Sequence, residues 1–126
     1  MKNNELGFEK FSLYSMRKEE KNEFINSKLK FLFNHHISKC LNYKKMMESI
    51  RFDIKKMSST ENFPFLPVRL FKLHELKSIK NSQIIKTMTS SGTSGQEVSK
   101  IYIDKFTSAI QTKVLTKIMS NFLGKS

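Results

Sequence analysis

The chain has 126 residues, 38% of them hydrophobic and 27% charged, with one cysteine and a formal net charge of +12. That length suits one domain with a core of its own, the single cysteine excludes an internal disulfide framework, and no apolar run approaches the roughly 18 residues of a membrane span. Nucleic acid is not an expected partner either: base reading leans on arginine and a concentrated basic face, whereas the lysines here run from end to end and arginine occurs only at Arg17, Arg51 and Arg69.

The opening Met1-Lys2-Asn3-Asn4-Glu5 lacks the apolar stretch of a secretory leader, so the cytoplasm is the expected location. Residues 1–15 carry little pattern beyond Phe8, Phe11, Leu13 and Tyr14. From about Arg17 the apolar residues Phe24, Ile25, Leu29, Leu32, Phe33, Ile37, Cys40 and Leu41 recur at three- and four-residue steps, which predicts helix, with Asn34 as the expected break between two. A shorter helix over Lys44 to Ile50 adds Met46, Met47 and Ile50, and these stripes are expected to be core. Ser58 to Asn62 is a polar break. In Phe63-Pro64-Phe65-Leu66-Pro67 each proline holds itself and the residue before it extended. This predicts a buried crossing segment running into Val68-Arg69-Leu70-Phe71, followed by one helical turn over His74 to Ile79.

Ile84 to Met88 then reads as a strand and Val98 to Ile103 as an alternating strand. Between them lies Thr89-Ser90-Ser91-Gly92-Thr93-Ser94-Gly95. Glycines let backbone N–H groups turn toward an anion, and hydroxyls add donors for phosphate oxygens. The run therefore reads as a phosphate-wrapping loop, with a serine-rich hairpin turn as the alternative. The strand–loop–strand setting, and Gln96 and Glu97 after Gly95, separate it from the loop that ends in Gly-Lys-Ser/Thr and opens a helix. Lys100 shares a strand face with Val98, while Ser99 and Ile101 share the other; Lys100 is either a reach back to the phosphates or a solvated lysine. Asp104 is the expected N-cap of a last helix with the apolar face Phe106, Ile110, Val114, Leu115, Ile118, Met119 and Phe122, and Gly124 suits its end. His36 and Cys40 stand four apart, but no further His or Cys nearby completes a zinc set, so His35, His36 and Cys40 read as core or interface. Cys40 is not expected to be a nucleophile.

Several stretches in register resemble the LuxE-type acyl-protein synthetases, ligases that activate an acyl group with ATP and pass it to a protein. They are Leu66-Pro67-Val68-Arg69-Leu70-Phe71-Lys72, Glu75-Leu76-Lys77-Ser78-Ile79, Thr87 to Gln96, Val98-Ser99-Lys100-Ile101-Tyr102 and Gln111-Thr112-Lys113. The resemblance runs from about Leu32 to Phe122, and Ser-Ser-Gly-Thr-Ser-Gly is similar to the phosphate loop of the wider adenylate-forming enzymes. It implies an α/β fold, with an N-terminal helical segment followed by the beginning of the adenylate-forming sheet and a phosphate loop between two strands. It implies ATP and Mg2+ as cofactors, an acyl substrate, an acyl-acceptor protein, and Thr89, Ser90, Ser91, Gly92, Thr93, Ser94, Gly95 and Lys100 as nucleotide-phosphate residues. No catalytic residue or metal ligand is assigned. The superfamily's loop ends in Gly-x-Pro-Lys, whereas Lys100 follows Gly95 at a longer offset without a proline.

By the same resemblance residues 1–126 are an N-terminal fragment of a synthetase domain, about 1–57 helical and 58–126 extended segment, strand–loop–strand and helix. The family's acidic, lysine-bearing and acyl-carrying cysteine motifs are expected elsewhere. The chain by itself is therefore expected to bind ATP weakly at most, to form no acyl-adenylate, and to self-associate through unpaired sheet edges. The rival readings are a ligase with another acceptor, such as coenzyme A, and a non-catalytic basic accessory protein.

Overall fold

The computed structural model describes residues 15–90 and 97–124. Helix α1 spans Lys18–Lys39, with Glu19 and Glu20 in its first turn and Lys39 in its last, the signs the helix dipole favours at each end. Glu20 also hooks back: its carboxylate accepts from the Arg17 backbone N–H at 3.3 Å and from the Arg17 guanidinium at 2.7 Å. Asn34, the expected break, lies inside this one continuous helix. An exposed asparagine costs a helix under about 0.7 kcal/mol, too little to interrupt a helix of this length. The turn falls at Cys40, where φ −121° and ψ 102° are extended. The Cys40 N–H donates to the His36 carbonyl at 2.8 Å and its own carbonyl accepts from Lys44 N–H at 3.0 Å, so one residue closes α1 and opens α2, Leu41–Ser49.

Helix α2 ends on a left-handed Arg51, φ 52°. Phe52 N–H donates to the Met47 carbonyl and Arg51 N–H to the Glu48 carbonyl, the paired bonds of a helix ending that most often places glycine at that position. The reversal brings Phe52 against α1. Phe33 meets Tyr43, Phe52 and Phe63 edge-on, at ring separations of 6.0, 5.3 and 6.2 Å, and Phe33, Cys40, Met47 and Met57 are the buried side chains of this half.

The proline segment is extended, as its rings require, but it is not buried throughout: Phe63 joins the aromatic cluster while Phe65 is 87% exposed. Nor does it run on as extended chain. Leu70 N–H donates to the Pro67 carbonyl at 2.9 Å and helix α3 forms at Leu70–Leu73. The turn lies here, and residues 74–79, where it was expected, carry no helix. Arg69 and Lys72 on this turn are exposed.

Strands β1 (Ile84–Thr89) and β2 (Lys100–Asp104) pair antiparallel, with Thr87 opposite Tyr102, Met88 opposite Ile101 and Thr89 opposite Lys100. The register slips once, between Ile84 and Lys86. Helix α4, Lys105–Leu123, follows β2 directly; the Asp104 carboxylate accepts from Thr107 N–H at 2.7 Å as the expected cap, and Gly124 ends the helix at φ 79°. Among the described residues of this half, Ile103 and Ser99 are buried.

The α4 stripe is apolar, as expected, but it is not covered. None of its residues is buried, and Phe106, Leu115, Met119 and Phe122 are exposed. The cause is dimensional. A helix of this length runs close to 30 Å at about 1.5 Å per residue, whereas two strands at about 4.8 Å spacing form a narrow platform. The architecture is α/β, N-terminal helices with a two-stranded antiparallel sheet. Among the described residues no helix is long and apolar enough to cross a membrane.

Candidate functional site

The hairpin register decides which candidate residues meet. Directly opposed residues of an antiparallel pair place their side chains on one face, and neighbours alternate. Thr87, Thr89, Lys100 and Tyr102 therefore share a face, with exposed Thr89 and Lys100 forming the last rung of the ladder. Ser91, Gly92, Thr93, Ser94 and Gly95 lie outside the described residues.

One step beyond that rung, Ser90 and Ser99 close a neck. Ser90 N–H donates to the Ser99 carbonyl at 3.2 Å, and Ser99 N–H donates to Ser90 Oγ at 3.1 Å. A regular hydrogen-bonded pair exchanges two backbone bonds; here the Ser90 hydroxyl stands in for the Ser90 carbonyl. One lone pair of Ser90 is thus used by the neck, while its O–H hydrogen stays available to donate. Ser99 is 6% exposed, and its hydroxyl has no partner among the described residues. Such a group costs about 1–3 kcal/mol when left unpaired, which makes the neck a polar place.

The Thr89–Lys100 face meets the segment between α3 and β1. Lys77 Nζ donates to Glu75 Oε1 at 2.7 Å and to Asn81 Oδ1 at 2.6 Å, and stands 5.3 Å from the centroid of the Tyr102 ring. The Lys77 hydrogen bond is the main influence holding the Glu75 carboxyl below its usual range; desolvation opposes it, and the charge of Lys77, a Tyr102 hydrogen bond and the charge of Lys100 add to it. Burial, then the Glu75 charge and hydrogen bond, push the Tyr102 phenol up. On its other side the same segment is stitched to the helices: His36 Nδ1 and Ser78 Oγ are 2.7 Å apart, and Asn42 Nδ2 donates to the Glu75 carbonyl at 3.4 Å. Sequence reasoning assigned no role to Glu75, Lys77, Ser78 or Asn81; Glu75 to Ile79 entered it only as one stretch of the family resemblance. Among the described residues no three His, Cys, Asp or Glu side chains converge as a metal set.

His36 gives this stitching a pH dependence. Burial first, and the neighbouring His35 second, hold its pKa below the ordinary histidine value; His35, Tyr43 and Ser78 are the groups that face it. The folded state thus takes up this proton less readily than the unfolded chain. The His36 contribution to stability is complete above about pH 6.5, the unfolded value, and is lost as pH falls through the lower folded value. The urea midpoint is expected to fall from about pH 7 downward, and His36→Gln is expected to flatten that fall. Parallel curves for the two proteins would refute the assignment.

A family model described as acyl-protein synthetase, LuxE, matches residues 8–126, reaching into the N-terminal stretch where little pattern is visible by eye. No curated protein and no solved structure matches the chain.

Proposed function

The chain belongs to the LuxE acyl-protein synthetase family, and from that premise we propose that it supplies the nucleotide-phosphate part of a cytoplasmic ligase of the adenylate-forming type. That ligase converts a fatty or other carboxylic acid to its acyl-adenylate with ATP and passes the acyl group to a protein thiol. In the first step a carboxylate oxygen attacks the α-phosphorus, the bond to the bridging oxygen breaks, and pyrophosphate leaves. Charge gathers on the departing phosphates, so the rate depends on donors placed around them beforehand.

Thr89, Ser90, Ser91, Thr93 and Ser94 bring hydroxyls to this task, Gly92 and Gly95 allow close backbone approach, and Lys100 adds a positive charge. Mg2+ supplies charge neutralisation on the phosphates when bound; no residue of this chain is assigned to it, and none is given a bond-making role. The observation that carries the reading is the neck. Antiparallel pairing sets Thr89 opposite Lys100, and Ser90 is bonded to Ser99, so the chain enters the hydroxyl-and-glycine run from a fixed point rich in donors. The donor set fits a phosphate chain: the Ser90 O–H hydrogen is uncommitted by its neck bond, and Lys100 is exposed beside it.

The test is ATP–pyrophosphate exchange in the presence of fatty acids, run with the 126-residue chain and with the polypeptide encoded by the whole open reading frame. Exchange is expected from the latter and little or none from the former. The paired substitution Gly92→Ala with Gly95→Ala is expected to lower exchange by about a hundredfold while the protein stays folded. Absence of exchange from both wild-type proteins, over acids of short and long chain, would sink the ligase reading. A product carried on coenzyme A and not on protein would replace the acceptor. Unchanged exchange in the glycine variant would reduce the segment to a turn.

A further inference from the structure

The face that carries Thr89 and Lys100 also has a carboxylate beside it. A free carboxylate there opposes anion binding twice, by repelling the phosphates and by pairing with the Lys100 ammonium. The structure holds Glu75 in a different pair. Its Oε1 accepts from Lys77 Nζ at 2.7 Å, and the same ammonium is anchored on Asn81 Oδ1 at 2.6 Å and over the Tyr102 ring at 5.3 Å. The Lys77 side chain is 18% exposed against 54% for Glu75, so it is the lysine that is fixed and the carboxylate that is drawn to it. Tyr102 stands two residues from Lys100 on the same strand face, which places this anchorage next to the rung that opens the neck.

We infer that Lys77 is a positioning residue for the phosphate site: by holding Glu75 against Asn81 and Tyr102 it keeps the Lys100 ammonium free for the nucleotide. The inference rests on the phosphate reading of Lys100 proposed above. Lys77 itself is not a phosphate ligand, because its three donor hydrogens already face a carboxylate, an amide oxygen and an aromatic ring. The balance of influences on the Glu75 carboxyl agrees with this arrangement, with Lys77 first among them and Lys100 last.

The test is a charge-rescue cycle read in the KM for ATP of the exchange reaction, with the polypeptide of the whole open reading frame. Lys77→Met is expected to raise KM about two- to fivefold, the scale of a half-exposed ion pair, with a smaller change in kcat, as loss of uniform binding requires. Adding Glu75→Gln to Lys77→Met is expected to return KM to the wild-type value, and Lys77→Arg to leave it there. Lys77→Gln, which keeps donors without charge, is run beside Lys77→Met as the better-folding substitute and is expected to behave like it. A merely structural role makes the opposite prediction, because the Lys77 bonds to residue 75 and Asn81 stay broken in the double variant and its KM stays high. That outcome, or a wild-type KM in both single variants, overturns the inference while the ligase reading stands. A wild-type protein without exchange overturns the ligase reading and this inference with it.

Discussion

Phe33→Ala is expected to lower the unfolding free energy by about 3–5 kcal/mol, the range for emptying an aromatic side chain from a core. Phe33 is 7% exposed and stands edge-on to Tyr43, Phe52 and Phe63, while Phe52 and Phe63 also meet each other at 5.8 Å. The substitution therefore removes three ring contacts, each worth about 0.5–1.5 kcal/mol beyond the area it buries, and leaves a space that only a backbone shift could refill. A domain of this kind has about 5–15 kcal/mol in all, so the variant sits near the edge of folding. Urea titration measures the loss directly. Phe65→Ala is the control: at 87% exposure it is expected to stay within about 0.5 kcal/mol of wild type. Equal losses in the two variants would show that the cluster is not the centre of the helical half.

The same cluster explains where sequence reading succeeded and where it stopped. Local chemistry was legible. Asp104 caps Thr107 because a short carboxylate before an apolar period has few better uses, and β1 and β2 lie close to their expected spans. The break between α1 and α2 was not legible. Asn34 carries the stronger local signal against helix, yet the chain turns at Cys40, which leaves Tyr43 edge-on to Phe33, a contact worth about 0.5–1.5 kcal/mol against under about 0.7 kcal/mol for the asparagine. The helical turn lies at Leu70–Leu73 and not at its expected place, 74–79, because Val68 to Phe71 had been expected to continue the extended segment. The face of α4 was legible as apolar, but periodicity records which residues want cover and not how wide a sheet is there to give it. In the site, the strand–loop–strand frame was visible in composition and alternation. The meeting of Glu75, Lys77, Asn81 and Tyr102 was not, because the first three lie close together in a stretch without a repeating pattern, and Tyr102, the ring they gather on, is far from them in sequence.

Ile103→Ala is expected to cost about 2–5 kcal/mol, and the loss is expected to fall on one half of the protein. Ile103 is 2% exposed on β2, the strand against which α4 packs, and the aromatic cluster belongs to α1, α2 and the chain that follows them. Polar links through residues 74–81 join the halves, among them His36 to Ser78, Asn42 to the Glu75 carbonyl, and Lys77 and Glu75 to Tyr102, and α3 also touches β2. Links of this kind contribute about 0.5–1.5 kcal/mol each, less together than a full core, so the hairpin and α4 can open while α1 and α2 stay closed. Native-state hydrogen exchange separates the cases. In Ile103→Ala the amides of Thr87, Met88 and Tyr102 are expected to exchange by an opening cheaper by the whole loss, while those of Leu29 to Leu32 stay within about 0.5 kcal/mol of wild type. In Phe33→Ala the pattern reverses. Equal loss at both sets of amides would mean one cooperative unit and would refute the division. The neck formed by Ser90 and Ser99 belongs to the half that opens, so its geometry depends on Ile103 and on the Lys77 anchorage more than on the aromatic cluster. Below the melting temperature of each variant, nucleotide-dependent activity is therefore expected to suffer in Ile103→Ala and to persist in Phe33→Ala, although both proteins lose comparable stability.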